Sequence, residues 1–285
     1  MVESQKNRTL DIEAIKSYGA FLYEWEKEES TIHQYICNLH KALLYFGDIE
    51  LTKTALIEWK EHLAKEYAPA SVNTILAALN GFLKFMGWDD LKVKPLKIQK
   101  TLFTDGSREL SREEYARLVR AAEKPGNRRL SLVLQTICST GIRVSELKFI
   151  TVAAVQAGRA EVSNKGKRRT VFLPKKLSKV LLVYMKEQKI REGPVFVTRS
   201  GKPLDRSNIW RDMKALCESA GVDPVKVFPH NLRHLFARTY YSVEKDLSRL
   251  ADILGHSSVN TTRIYTIESG TVHLMQLERL GLLIT

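Results

Sequence analysis

Cysteine is scarce: Cys37, Cys138 and Cys217 are the only three in 285 residues, far apart and never in a CxxC pair. A set this sparse and odd in number argues against a disulfide framework and a cysteine-built zinc site, and fits reduced, buried thiols. No apolar run approaches the roughly 18 residues that span a bilayer. Residues 1–8 are polar and lack the apolar stretch of a signal peptide. The expectation is a cytoplasmic protein without a membrane segment. The chain also lacks a GxxxxGK[ST] phosphate loop, an HExxH pair and an acidic metal cluster, so no cofactor is expected. Internal repeats and low-complexity tracts are absent.

Positive charge, by contrast, is abundant. The formal net charge is +13, which points to a polyanionic partner. Its distribution is uneven. Residues 1–100 hold 13 Lys and Arg against 14 Asp and Glu, whereas residues 101–285 hold 32 against 18. The excess therefore sits in the second part. Charge alone does not separate DNA, RNA and anionic membrane, although no long basic amphipathic helix speaks for the membrane.

Hydrophobic periodicity divides the chain. Over residues 1–91 it predicts four helices, each with an apolar stripe that reads as core. Ile12, Ile15, Tyr18, Leu22 and Trp25 mark the first. Ser30 or Thr31 caps a second, carrying Ile32, Tyr35, Ile36, Leu39 and Leu43. Thr52 caps a third, with Leu56, Trp59 and Leu63. Pro69 and Ser71 introduce a fourth, running from Val72 to Met86 and closed by Gly87. Residues 92–107 read as a basic linker with Lys92, Lys94, Lys97 and Lys100, suited either to crossing phosphates or to plain solvation. From 108 to 285 the pattern is mostly helical again. Ser111 and Glu114 form a capping-box signature. Residues 160–173 read as two short strands around the turn Asn164-Lys165-Gly166-Lys167, and Pro174 ends them.

Four segments of the second part carry unusual polar company. Arg143 and Glu146 lie three apart in Gly141-Ile142-Arg143-Val144-Ser145-Glu146-Leu147; taken alone, they equally suit a surface ion pair. Lys165, Lys167, Arg168 and Arg169 put four cations on five residues of a turn that could also be simply solvated. His230, Arg233 and His234 open a helix after Pro229. A metal pair of the two histidines is disfavoured, because Arg233 would repel a cation. His256 precedes Tyr265 by nine residues, and a lone helical tyrosine is most often core.

Together and in this order, the strings GIRVSEL at 141–147, NKGK at 164–167, HNLRH at 230–234 and LGHSSVNTTRIYT at 254–266 resemble the tyrosine recombinase, or phage integrase, family. The motif resemblance covers residues 108–270. It implies a mainly helical fold with a small β-sheet: a four-helix core-binding domain, then a catalytic domain over 108–285 whose tail, 270–285, docks on a neighbouring protomer. It also implies a site-specific recombinase that acts on double-stranded DNA as a homotetramer, is monomeric when free, and passes through a 3′-phosphotyrosyl intermediate and a Holliday junction. An accessory DNA-bending or directionality factor is compatible with that assembly. Only about nine residues precede the first helical pattern, which favours a simple recombinase over an arm-binding integrase.

The implied roles fit the chemistry. Tyr265 is the nucleophile. Arg143 and Arg233 clamp the non-bridging phosphate oxygens. Lys165 protonates the departing 5′ oxygen, its pKa lowered by Lys167, Arg168 and Arg169. His256 hydrogen-bonds the phosphate, His230 exchanges a proton with Tyr265 or supports the phosphate, and Glu146 orients the network. The basic residues of the linker and turn contact DNA. Integration or excision of a mobile element, dimer resolution and inversion all use this chemistry. Two other readings remain: a non-catalytic DNA-binding regulator, for which Tyr265 would have no use, and a type IB topoisomerase-like enzyme.

Overall fold

In the computed structural model, the described residues are 8–98, 108–124, 126–164, 166–198, 200–265 and 278–280. The chain forms two compact units, residues 1–100 and 101–285. Lys100, Lys165 and the expected docking tail, apart from residues 278–280, lie outside the described residues. No helix among the described residues is long and apolar enough to cross a membrane.

The first unit holds helices α1 (Ile12–Glu24), α2 (Glu29–Phe46), α3 (Lys53–Glu66) and α4 (Pro69–Phe85). The predicted stripes face one shared core, centred on Ile15, Leu39, Leu56, Trp59, Leu76 and Phe82, except at the two ends of the first, where Ile12 and Trp25 are exposed. Thr52 caps α3 as expected, accepting from the amide of Ala55, and Pro69 occupies the first turn of α4. The start of α2 differs from the expectation. The chain reverses at Glu26, whose φ is +52°, leaving only Lys27 and Glu28 as a connector. Helix α2 therefore begins at Glu29 without a side-chain cap, and Ser30 and Thr31 fall inside its first turn.

Residues 93–96, expected to belong to the linker, are held on α4. The side-chain amide of Asn80 donates to the carbonyl of Val93 and accepts its N–H, both at 2.8 Å. Asn73 makes the same pair with Leu96, at 2.9 and 2.7 Å. The spacing explains the match. Seven helical residues rise about 10.5 Å, and three extended residues span about 10 Å. Asn80→Ala would leave both backbone groups of buried Val93 unpaired. It should destabilise the first unit by about 1–3 kcal/mol, read as a lower unfolding midpoint in denaturant.

The second unit is built on α5 (Arg112–Glu123), α6 (Arg128–Thr140), α7 (Val152–Ala157), α8 (Lys175–Glu187), α9 (Arg206–Ala215), α10 (Cys217–Ala220), α11 (Pro229–Glu244), α12 (Leu247–Leu254) and α13 (Val259–Thr262). Ser111 and Glu114 form the expected capping box on α5. The only sheet among the described residues is an antiparallel hairpin, β1 (Arg159–Asn164) and β2 (Lys167–Phe172), with Asn164 opposite Lys167. Buried α6 lies at the centre, contributing Leu130, Val133, Leu134 and Ile137 to the core. Helix α11 packs along α6, which brings the start of α11 to the end of α6.

Candidate active site

Arg143 follows the end of α6. Gly141 terminates that helix in the left-handed region (φ +65°), where a Cβ would stand 2.5 Å from the ring of Phe236. A tight 3-10 segment, Val144–Phe149, then brings Glu146 back onto Arg143. The carboxylate accepts the Arg143 amide at 2.9 Å and its guanidinium at 3.0 Å. The other donor edge of Arg143 reaches the carbonyl of Gly255 at 3.3 Å. Sequence and structure agree on this pair, but it is no surface ion pair: the Glu146 side chain is 2% exposed, while that of Arg143 is 31% exposed.

The second partner of Glu146 is Arg169, at 2.7 Å. This corrects the expectation that Arg169 contacts DNA from the basic turn. Strand alternation places Arg169 on the same face of β2 as buried Val171, opposite buried Val162. Its guanidinium points inward, also donating to the carbonyl of Ile253 at 2.8 Å. Its stem lies against Gly255, where a Cβ would come within 2.4 Å of it. Arg168, on the outward face, is exposed.

Burial alone would push the Glu146 carboxyl up. The Arg143 amide and the guanidiniums of Arg169 and Arg143 outweigh that and hold it below the usual carboxylate range. Glu146→Gln would leave two guanidiniums without their shared counter-charge. We expect a loss of about 3 kcal/mol at neutral pH. The pH dependence has a definite sign. A depressed folded pKa contributes stability above the unfolded value of about 4.3 and loses it as pH falls through the folded value. The gap between wild type and Glu146→Gln, followed by denaturant unfolding, should therefore narrow in acid.

Arg233 is the hub. It lies one turn into α11 and is 2% exposed. Its guanidinium donates to the carbonyls ending two helices, Gly141 of α6 and Leu254 of α12, the latter at 2.6 Å. It also donates to Nε2 of His256 at 3.2 Å. A guanidinium cannot accept, so Nε2 is the acceptor and the proton of the neutral ring sits on Nδ1, 2.8 Å from Oγ1 of Thr262. Burial, then repulsion from Arg143, lowers the Arg233 pKa to about 10, which leaves it charged.

Tyr265 folds back into this site within its own chain. Its side chain is 5% exposed and packs with Ala237, Leu250 and Leu254. The phenol lies in the field of Arg233; burial raises its pKa, and Arg233 and Arg143 oppose the rise. The ring lies nearly parallel to His256, with centroids 6.2 Å apart, and edge-on to His234 at 4.9 Å. His230 is exposed and stands against His234 at 4.5 Å. Burial and Arg233 lower the pKa of His230, and the same two causes bring His256 to about 4. Both rings are neutral at physiological pH. Among the described residues, no group of three or more His, Cys, Asp or Glu could hold a metal ion.

The site opens into a cavity of about 520 Å³ lined by Arg143, His230, Arg233 and the α9 residues Arg206, Trp210 and Lys214. Those three were not among the expected site residues, although their spacing of four puts them on one helical face. Of the expected DNA contacts in the first unit, Lys94 and Lys97 are exposed, while Lys92 pairs with Asp89.

Residues 108–270 match the Phage integrase family. The tyrosine recombinase XerA of Thermococcus kodakarensis is 30% identical over 264 residues, covering 89% of this chain and 90% of the relative. XerA of Pyrococcus furiosus is 29% identical, covering 92% and 91%. The crystal structure of a XerA recombinase is 26% identical, with a TM-score of 0.53 over 96% of this chain and 99% of the other. A lambda integrase tetramer bound to a Holliday junction gives a TM-score of 0.73 at 18% identity, covering 92% of this chain and 78% of the other. The chain therefore belongs to the phage integrase family and is a tyrosine recombinase.

Proposed function

We propose that the chain cuts and rejoins duplex DNA at specific sites by direct transfer of a phosphoryl group to Tyr265. The observation that carries this reading is the seating of the Tyr265 ring in cis, packed against His234 and His256 beside buried Arg233. The scissile phosphate sits between Arg143 and Arg233, whose fixed donors meet charge growing on its non-bridging oxygens. The phenol oxygen forms a bond to phosphorus as the bond to the 5′ oxygen breaks. The phenol proton passes to His230. Lys165, which follows β1 in the sequence, donates a proton to the leaving oxygen. Energy stays in the 3′-phosphotyrosyl bond, so the reverse attack by a 5′ hydroxyl reseals the strand and needs no cofactor.

Exposed Lys94, Lys97 and Arg168, together with Lys100 and Lys167, hold backbone phosphates, and the α9 face of Arg206, Trp210 and Lys214 extends that contact beside the cavity. Four protomers then exchange strands through a Holliday junction, in the cytoplasm where the DNA is. The fold shared with a lambda integrase tetramer bound to such a junction supports that assembly.

The test is covalent trapping. The protein is incubated in EDTA with nicked duplexes of randomised flanks, so that the cut fragment diffuses away and the adduct accumulates. A covalent complex whose DNA-bearing peptide contains Tyr265 is the expected result. No adduct, or one on another residue, overturns the reading. Lys165→Ala should cleave normal DNA poorly, by about 10²–10⁴-fold, and recover on a 5′-phosphorothiolate substrate, whose leaving group needs no proton. Equal loss on both substrates removes Lys165 from that role.

A further inference from the structure

His234 has no part in the chemistry just described, yet it touches the nucleophile. It lies four residues after His230 on the same face of α11, and its ring packs against those of both His230 and Tyr265. Its Nε2 is buried and has no hydrogen-bond partner among the described residues. Burial and then His230, Arg233 and His256 lower its pKa to about 4, so the ring is neutral.

Resting on the proposed function, we infer that His234 is the positioning residue for the nucleophile: its ring edge sets the plane of Tyr265 and so aims the phenol oxygen at the phosphate. Two rings define that plane. The Tyr265 ring meets His234 at 86° and His256 at 18°. A perpendicular contact on one side and a near-parallel one on the other leave the ring little freedom to turn about its own axis. Edge-to-face packing of this kind is favourable beyond the area it covers.

The experiment compares His234→Phe and His234→Leu on a duplex trapped by the wild-type protein. Both variants fill the space, and only phenylalanine keeps a ring edge. Two quantities are measured: affinity for the intact duplex, and the single-turnover rate of adduct formation at saturating DNA. A misaimed nucleophile costs up to about 10²-fold. We expect His234→Leu to bind DNA as the wild type does and to cleave about tenfold to a hundredfold more slowly. His234→Phe should cleave close to the wild-type rate. A general loss of structure would lower binding as well as cleavage, so the split between them is the signature of aiming. Cleavage at the wild-type rate by His234→Leu overturns the proposal. So does a His234→Phe variant as slow as His234→Leu, which would assign the effect to the nitrogen rather than the ring edge. Failure of the recombinase reading is recognised separately, since the wild-type protein would then trap no duplex at all.

Discussion

Tyr265→Phe is expected to bind the trapped duplex with wild-type affinity and to form no covalent adduct on any timescale at which the wild-type protein reacts. The substitution removes one oxygen and leaves the ring. The seat of that ring is made by Ala237, Leu250, Leu254 and the two histidines, none of which contacts the protein through the phenol oxygen alone. What is lost is the phenol's electrostatic interaction with Arg233. The remaining bonds of Arg233 to Gly141, Leu254 and His256 keep it in place. Fold and binding therefore survive, while the bond-forming atom is gone. The position of Tyr265 inside its own chain adds a sharper expectation. A mixture of Tyr265→Phe protein with Arg143→Ala protein should stay inactive, because no protomer then holds both groups. Adducts appearing in the mixture would mean that a tyrosine serves a neighbour's site, against the placement in cis seen here.

Much of this architecture is readable from local signals. Thr52 and the Ser111–Glu114 box are caps whose partners lie within three residues, so a single turn of chain specifies them. The candidate site residues read as short strings, because such strings are local structures: a 3-10 turn after Arg143 and a helix start at His230. Other features depend on chain that is far away. Arg169 carries a charge on a basic turn and reads as surface, although the alternation with Val171 already puts it on the core face. The carboxylate that lets it stay there comes from Glu146, 23 residues earlier. His234 suggests no more than a metal ligand from its spacing to His230, since its contact with Tyr265 joins residues 31 apart in the chain. Arg206, Trp210 and Lys214 show helical spacing but no motif; they gain meaning only beside Arg143 and His230 in the cavity wall.

Arg233→Ala should lose cleavage by about 10²–10³-fold or more, the usual cost of removing one fixed donor from a developing oxyanion. Two effects must be separated, because Arg233 is also a brace. Its guanidinium joins the ends of α6 and α12 through the carbonyls of Gly141 and Leu254, and truncation leaves both facing a buried void. Unpaired carbonyls and the void together should lower the stability of the catalytic unit by about 2–5 kcal/mol, measured by denaturant unfolding. Arg233→Lys separates the roles. A lysine keeps the charge, but its single ammonium is a point donor and cannot reproduce the planar fork that meets two carbonyls and His256 at once. It should recover part of the stability while cleavage at saturating DNA stays far below wild type. The ring of His256 provides an independent readout without DNA. Burial is the largest cause of its low pKa of about 4, and Arg233 is the next. Removing the guanidinium should move that pKa upward, toward the ordinary value near 6.5, in an NMR titration of the ring. The lysine variant, still charged, should move it less. If His256 titrates unchanged in Arg233→Ala, the close contact between guanidinium and imidazole is absent in solution, and the clamp would have to rest on Arg143 alone.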